Sequence, residues 1–361
     1  MSRLARLDVD AYRTWLEAES FSGVVHVAGD DDEEPVTIAL GLADRVASVA
    51  NHLGTRFGVA STAKMITGLA IARLVDRGVL HYEDRYVDLV GLGLRPRDLD
   101  PRVTLEHLLS HTSGVGDYAD EYDGPPFEAI WETTPPGTIR GPKDTLRLML
   151  DLPRTSDPGE AARYNNGAYI LLGVAIEEVT GRSFPDVVAS DVFEPLGMAN
   201  SGYWPLDGLT PDLAIGYLRP APDAAEGTPA ATWRTNVHSM PALGGPDGGV
   251  QSTAPDLVRA LDGLTGRGPI GGPFLGAATR TRMTTPVAIS PEEKVGYGLG
   301  MIRAGAGGGA RAGHSGDDPG FSCRCWAYEG GERVVVISNV TEGAWLPFKR
   351  LEELLTEAAA G

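Results

Sequence analysis

Cysteine is nearly absent: Cys323 and Cys325 are the only two in 361 residues. Two positions apart on a strand, they point to the same face, which places them poorly for a disulfide with each other. Two thiols are also too few for a zinc site of their own. The expected role is packing, as small buried hydrophobes. Basic residues are scarce beside acidic ones, 31 Lys and Arg against 49 Asp and Glu, for a formal net charge of -18. Phosphate affinity needs clustered cations, so general nucleic-acid binding is excluded. No apolar run is long enough to span a bilayer. Residues 1–8 meet charge almost at once, without the apolar core of a secretory leader, and the expectation is a cytoplasmic protein with no membrane partner. No internal repeat of solenoid length is present. With 42% hydrophobic residues the chain can bury a substantial core, as one large domain or two interleaved ones.

The periodicities predict elements at both ends and a different middle. Asp8 to Phe21 reads as a helix with Leu7, Tyr12, Trp15 and Leu16 on its apolar stripe. Residues 23–27 and 36–40 read as strands joined by an acidic turn, 30–35. From about Tyr86 to Gly244 turn signals multiply between helical patterns at 103–109, 168–181 and 184–196, and 219–232 reads as a surface loop. A helical stretch at 256–261 precedes strands at 296–302, 321–328 and 334–338, and a helix at 351–360 closes the chain. Strands near both termini predict one antiparallel sheet flanked by helices, an α/β (α+β) fold built from residues 1–85 and 245–361. Residues 86–244 would form a largely helical insertion.

Three stretches carry chemistry. In Phe57–Ala70 an extended run becomes a helix, with Ile66, Ala70 and Leu74 at helical spacing and Gly78 as its stop. Ser61 falls in the first turn, with Lys64 one turn on along the same face. A hydroxyl becomes a nucleophile when a neighbour takes its proton, and a partly desolvated Lys can do that. Helix-start N–H groups favour negative charge developing there. Ser61 reads equally as a helix cap and Lys64 as a solvated side chain. Tyr164-Asn165-Asn166 precedes a helix: Tyr164 can shuttle a proton and Asn166 can orient Lys64 and a substrate, or one asparagine is simply the helix N-cap. Gly313-His314-Ser315-Gly316-Asp317 reads as a strand edge able to pair with an extended acyl group, Gly316 letting substrate approach and the Asp317 N–H joining that of Ser61 as an oxyanion donor. Alone, it reads equally as a hairpin turn with a surface His.

Ser-x-x-Lys, Tyr-x-Asn and His-x-Gly in this order resemble the serine β-lactamase and penicillin-binding-protein superfamily, in the variant of class C β-lactamases, D-peptidases and β-lactamase-like esterases. Residues 107–114, 195–198, 248–253 and 297–300 add to the resemblance, which runs from about Gly23 to the C-terminal helix. It implies a β-lactamase/transpeptidase-like fold with the site between the sheet and a helical domain. It further implies Ser61 as acylated nucleophile, Lys64 as its activator and Tyr164 as proton shuttle. Asn166 would hold Lys64 or a substrate amide, and His314, Ser315, Gly316 and Asp317 would line the strand edge, with neither cofactor nor metal. The substrate implied is a small ester, amide or peptide. Class C enzymes usually begin the third motif with Lys; His314 stands here, as in some D-peptidases, so weak β-lactamase activity is expected. An acyl-enzyme can also pass its acyl group to an acceptor other than water, so a biosynthetic acyltransferase stays open, as does a non-catalytic binding protein.

Other motifs are weaker. Gly313–Asp317 lacks the final Gly of a nucleophile elbow and no Asp-then-His order follows it. Gly305–Ala310 matches a loose dinucleotide fingerprint but leads into a strand, as a hairpin loop does. His107 and His111 have zinc-ligand spacing without the accompanying Glu, and a structural role is expected for both.

Overall fold

The computed structural model describes residues 3–29, 33–221, 232–267 and 273–360. Asp30–Asp32 of the acidic turn and residues 222–231 of the expected surface loop lie outside the described residues. Eight strands form one sheet: β1 Gly23–Ala28, β2 Val36–Leu40, β3 Ala288–Ile289, β4 Gly296–Tyr297, β5 Ile302–Ala304, β6 Arg311–Asp318, β7 Phe321–Tyr328 and β8 Arg333–Ser338. Their order is β2-β1-β8-β7-β6-β5-β4-β3, and every pairing is antiparallel. The first two strands thus join the last six across the β1–β8 ladder, where Gly23 faces Ser338. β7 and β8 are buried along their whole length, so both faces of the sheet are covered there. Cys323 and Cys325 on β7 are both fully buried, as packing residues.

Helix α1, Val9–Ala18, starts at the Asp8 cap and buries Tyr12 and Leu16. The helix after Ser61, α2 Ala63–Asp76, is more enclosed than its stripe predicts: all but Arg73, Val75 and Asp76 are buried. A helix apolar all round belongs in the middle of a molecule. Gly68 lies against Gly300, with room for no side chain at either position. That contact explains a departure from the sequence reading. Residues 296–302 form two short strands, β4 and β5, rather than one. The turn between them places Gly300 at φ +84°, backed against α2.

Thr104 caps helix α3, Leu105–Leu109, in a capping box closed by His107. Asn165 caps α4, Asn166–Thr180, accepting the Ala168 N–H at 2.6 Å, and Gly181 ends it in the left-handed conformation. Residues 184–196 run helically, with a π-helical segment Ala189–Phe193 inside. Helix α5, Ala254–Thr265, packs on β7 and β8. The last helix, α6 Trp345–Ala360, begins six residues earlier than its apolar pattern suggests. The glycine-rich 305–310 stretch is the β5–β6 hairpin loop. No helix among the described residues is long and apolar enough to cross a membrane.

Candidate active site

Strand β6 is where the sheet opens. Its pairing with β5 ends at Gly313, whereas its pairing with β7 continues to Asp318. From His314 onward one edge is therefore left to the Ser61 segment, which packs against it. Ser61 sits in a 3₁₀ turn, Ala60–Thr62, just ahead of α2. Ala60 holds φ +50°, an uncommon backbone for a residue with a side chain and one found where a functional group must be aimed. Gly316 makes the contact possible: a Cβ there would fall 2.4 Å from the Ser61 nitrogen and 2.9 Å from that of Thr62. The close approach is thus between β6 and the Ser61 turn, where the sequence reading placed substrate.

Lys64 is fully buried beneath Ser61. Its Nζ lies 2.8 Å from Ser61 Oγ, 2.7 Å from Asn166 Oδ1 and 2.8 Å from the Asp247 carbonyl oxygen. The Asn166 amide is oriented by its nitrogen, which donates to the Ala119 carbonyl at 2.8 Å and to Glu121 at 3.2 Å. Two of the three Lys64 contacts are therefore acceptors only. A neutral amine satisfies both with its N–H groups and turns its lone pair to Ser61, ready to receive the hydroxyl proton. Burial pulls the Lys64 ammonium below its usual range, opposed by Asp247, Glu121, Asp318 and Asp117.

Tyr164 is buried beside the pair, with Lys64 Nζ 4.8 Å from its ring centre. Burial holds the phenol well above its usual range, with Glu121 adding to the rise and the Ser61 hydroxyl opposing it, so the resting group is a neutral proton donor. His314 Nδ1 lies 2.6 Å from the Ser315 carbonyl, which fixes the proton on that nitrogen. Its Nε2 is buried without a hydrogen-bond partner among the described residues. Burial, with Lys64 nearby, pushes the imidazole down to about 3, so His314 is neutral. Asp317 is held by Arg324 at 2.6 Å and by Ser322 at 2.5 Å. Ser315 is half-buried opposite Arg324 in the β6–β7 register.

Ser61, Asn166 and Asp317 line a cavity of about 490 Å³, with Lys64, Tyr164 and His314 buried behind it. The remaining lining combines Glu121, Asp247 and Asp318 with Phe127, Trp131 and Met240. Asp318 pairs with Phe321 in the β6–β7 ladder, its carboxylate makes no side-chain hydrogen bond among the described residues, and it is only partly accessible, through the cavity. Desolvation pushes its carboxyl up to about 8, with Lys64 opposing and Asp247, Glu121 and Asp317 adding to the rise.

Several of these residues escape the sequence reading. Asp117 accepts the first N–H groups of α4, from Asn166 at 2.7 Å and Gly167 at 2.9 Å, and so steadies the helix that carries Asn166. Asp247 supplies a carbonyl to Lys64 and a carboxylate to the Tyr118 hydroxyl at 2.6 Å. It stands one residue before the Gly248–Thr253 stretch, and the glycines around it were the available signal: Gly244 and Gly249 pack backbone to backbone. His107 belongs to its own helix cap and His111 to the surroundings of Tyr164.

Comparison with known proteins adds an independent outline. The family model described as Beta-lactamase matches residues 10–354. The crystal structure of a penicillin-binding protein from Bacillus halodurans superposes with a TM-score of 0.85 at 32% identity, covering 95% of this chain and 99% of that one. Penicillin-binding protein 4* of Bacillus subtilis is 28% identical over 340 residues, 92% of this chain and 71% of the relative. Esterase EstB of Burkholderia gladioli is 30% identical over 286 residues, 73% of this chain and 70% of the relative.

Proposed function

Because the chain belongs to the Beta-lactamase family, we propose that it is a serine hydrolase of small esters or amides, of esterase or D-amino-acid amidase/peptidase type, with poor β-lactamase activity. One observation carries this reading: Lys64 Nζ stands 2.8 Å from Ser61 Oγ at a cavity wall, its two other contacts both acceptors. The 30% identity to esterase EstB supports ester cleavage.

In the proposed reaction Ser61 Oγ attacks the carbonyl carbon while Lys64 takes its proton. The oxyanion is held by the backbone N–H groups of Ser61 and Asp317, on two segments that meet at Gly316. Tyr164 gives its proton to the departing alcohol or amine and receives in its place the proton that Lys64 took from Ser61. The acyl-enzyme forms as that bond breaks. Water then attacks the ester carbonyl, its proton passes back through the same groups, and Ser61 leaves as the hydroxyl. Asn166 keeps Lys64 in place throughout.

Charge supports the choice of substrate. A β-lactam or a peptide C-terminus brings a carboxylate, and here His314 is neutral while Glu121, Asp247, Asp317 and Asp318 line the cavity. An amine-bearing acyl group meets the opposite situation. Its ammonium would favour ionised Asp318, and its apolar part has Phe127 and Trp131 to pack on. The expected order of kcat/KM is an aminoacyl p-nitrophenyl ester with a free amine first, its N-succinyl counterpart roughly tenfold or more lower, since unit charges a few ångströms apart interact by about 1–4 kcal/mol. Nitrocefin is expected last. Steady-state kinetics on the three decides: nitrocefin turnover equal to that of the esters would contradict the reading. Product formed only with an added amine or alcohol acceptor would move the activity to acyl transfer.

A further inference from the structure

We infer that His111 is the positioning residue for Tyr164, clamping the segment that carries the phenol from three sides. The inference rests on the role proposed above for Tyr164.

His111 follows α3 with φ +58°, a left-handed backbone that is uncommon outside glycine. Three of its groups meet three consecutive residues. Its carbonyl oxygen accepts the Arg163 N–H at 2.9 Å. Its ring Nδ1 accepts the Asn165 N–H at 3.0 Å. Its ring face stacks on that of Tyr164, with centroids 4.5 Å apart and planes 29° from parallel. The amides on both sides of residue 164 thus end on His111, and so does the aromatic face between them.

The clamp is itself fixed. His111 is 3% exposed, and the rings of Tyr169 and Tyr297 lie 5.2 Å and 4.7 Å from it. The Tyr169 hydroxyl donates to the Leu109 carbonyl at 2.9 Å, tying α4 to the end of α3 just before the left-handed turn. Because Nδ1 accepts from a backbone amide, the ring proton is on Nε2, and burial, with Lys64 and His314 close by, keeps the ring neutral. His111 therefore adds no charge beside Lys64. It holds the Tyr164 hydroxyl within reach of Ser61 while the carbonyl carbon changes from planar to tetrahedral and back. Displacement of a catalytic group by about 1 Å can cost on the order of 10²-fold in rate.

Two variants separate positioning from general packing. His111→Asn keeps a side-chain acceptor for Asn165 and tolerates the left-handed backbone, and it removes the ring from Tyr164. His111→Leu removes the acceptor as well. With an alkyl ester, whose leaving group needs a proton, kcat is expected to fall about tenfold in His111→Asn and about 10²-fold in His111→Leu, with KM little changed. With the p-nitrophenyl ester of the same acid, whose leaving group departs unprotonated, the losses should be several-fold smaller. In a Tyr164→Phe background either change should cost less than about threefold, because the group being positioned is gone. Equal losses on both leaving groups, equal losses in both backgrounds, or wild-type kcat in both variants would overturn the inference. Wild-type rates in Tyr164→Phe alone would instead remove the role of Tyr164, and that of His111 with it. If His111→Leu does not fold, the His111→Asn cycle decides by itself.

Discussion

Replacing Lys64 with Met is expected to lower kcat for ester hydrolysis by about 10²–10⁴-fold, the range of a general base, and adding Tyr164→Phe should cost little more. Ser61 cannot shed its proton unaided near neutral pH, and Lys64 Nζ is 2.8 Å away with two of its contacts committed to Asn166 and the Asp247 carbonyl. Met fills a similar volume without a lone pair of comparable basicity, so the alkoxide has no proton acceptor. Tyr164→Phe alone should also lose about 10²–10⁴-fold on alkyl esters, because the phenol supplies the leaving-group proton. Lys64 takes the Ser61 proton and Tyr164 draws on that proton once its own has gone to the leaving group, so the second loss removes a step already broken. Groups acting as a unit show this non-additivity. A double-mutant cycle on kcat, with thermal melts to confirm folding, measures it. Losses that multiply would mean that the two residues act independently.

Gly316→Ala is expected to lower kcat by about 10²-fold while every candidate catalytic side chain stays in the protein. The added methyl would sit 2.4 Å from the Ser61 nitrogen and 2.8 Å from the Ala60 Cβ, distances that force β6 and the Ser61 turn apart. Because the turn is already held at Ala60 with φ +50°, it has little freedom to yield locally. The separation would widen the gap between the Ser61 and Asp317 N–H groups and tilt Ser61 off Lys64, and errors of about 1 Å carry penalties of this size. Overpacking should also destabilise the fold by about 1–3 kcal/mol. Unchanged kcat in a folded Gly316→Ala protein would mean that the strand edge and the Ser61 turn are not one unit.

The catalytic candidates were legible because their chemistry depends on short local spacing. Ser61 and Lys64 are one helical turn apart, and Tyr164 and Asn166 straddle a helix start whose cap, Asn165, is a local signal. The sheet built from both chain ends was legible from alternating or fully apolar strands with turns between them. The acidic lining of the cavity was not. Glu121, Asp247 and Asp318 come from three distant segments, and an acidic residue in a loop reads as solvated until the fold encloses it. The β4–β5 turn was missed because Gly298 and Gly300 read as part of an apolar run, and only packing on α2 reveals the need for glycine. His111 was misleading for a different reason. Its spacing from His107 suggests a shared helix face, but α3 ends at Leu109 and the left-handed backbone turns the ring towards Tyr164.

The central claim is that Ser61 is the acylated nucleophile, and intact-mass spectrometry tests it most directly. The protein is quenched within milliseconds to seconds of mixing with a p-nitrophenyl ester, and in parallel is incubated with a fluorophosphonate. The account predicts a single adduct of the acyl or phosphonyl mass, mapped by peptide fragmentation to Ser61 and absent from Ser61→Ala. An adduct that persists in Ser61→Ala, on Ser315 or any other residue, would contradict it.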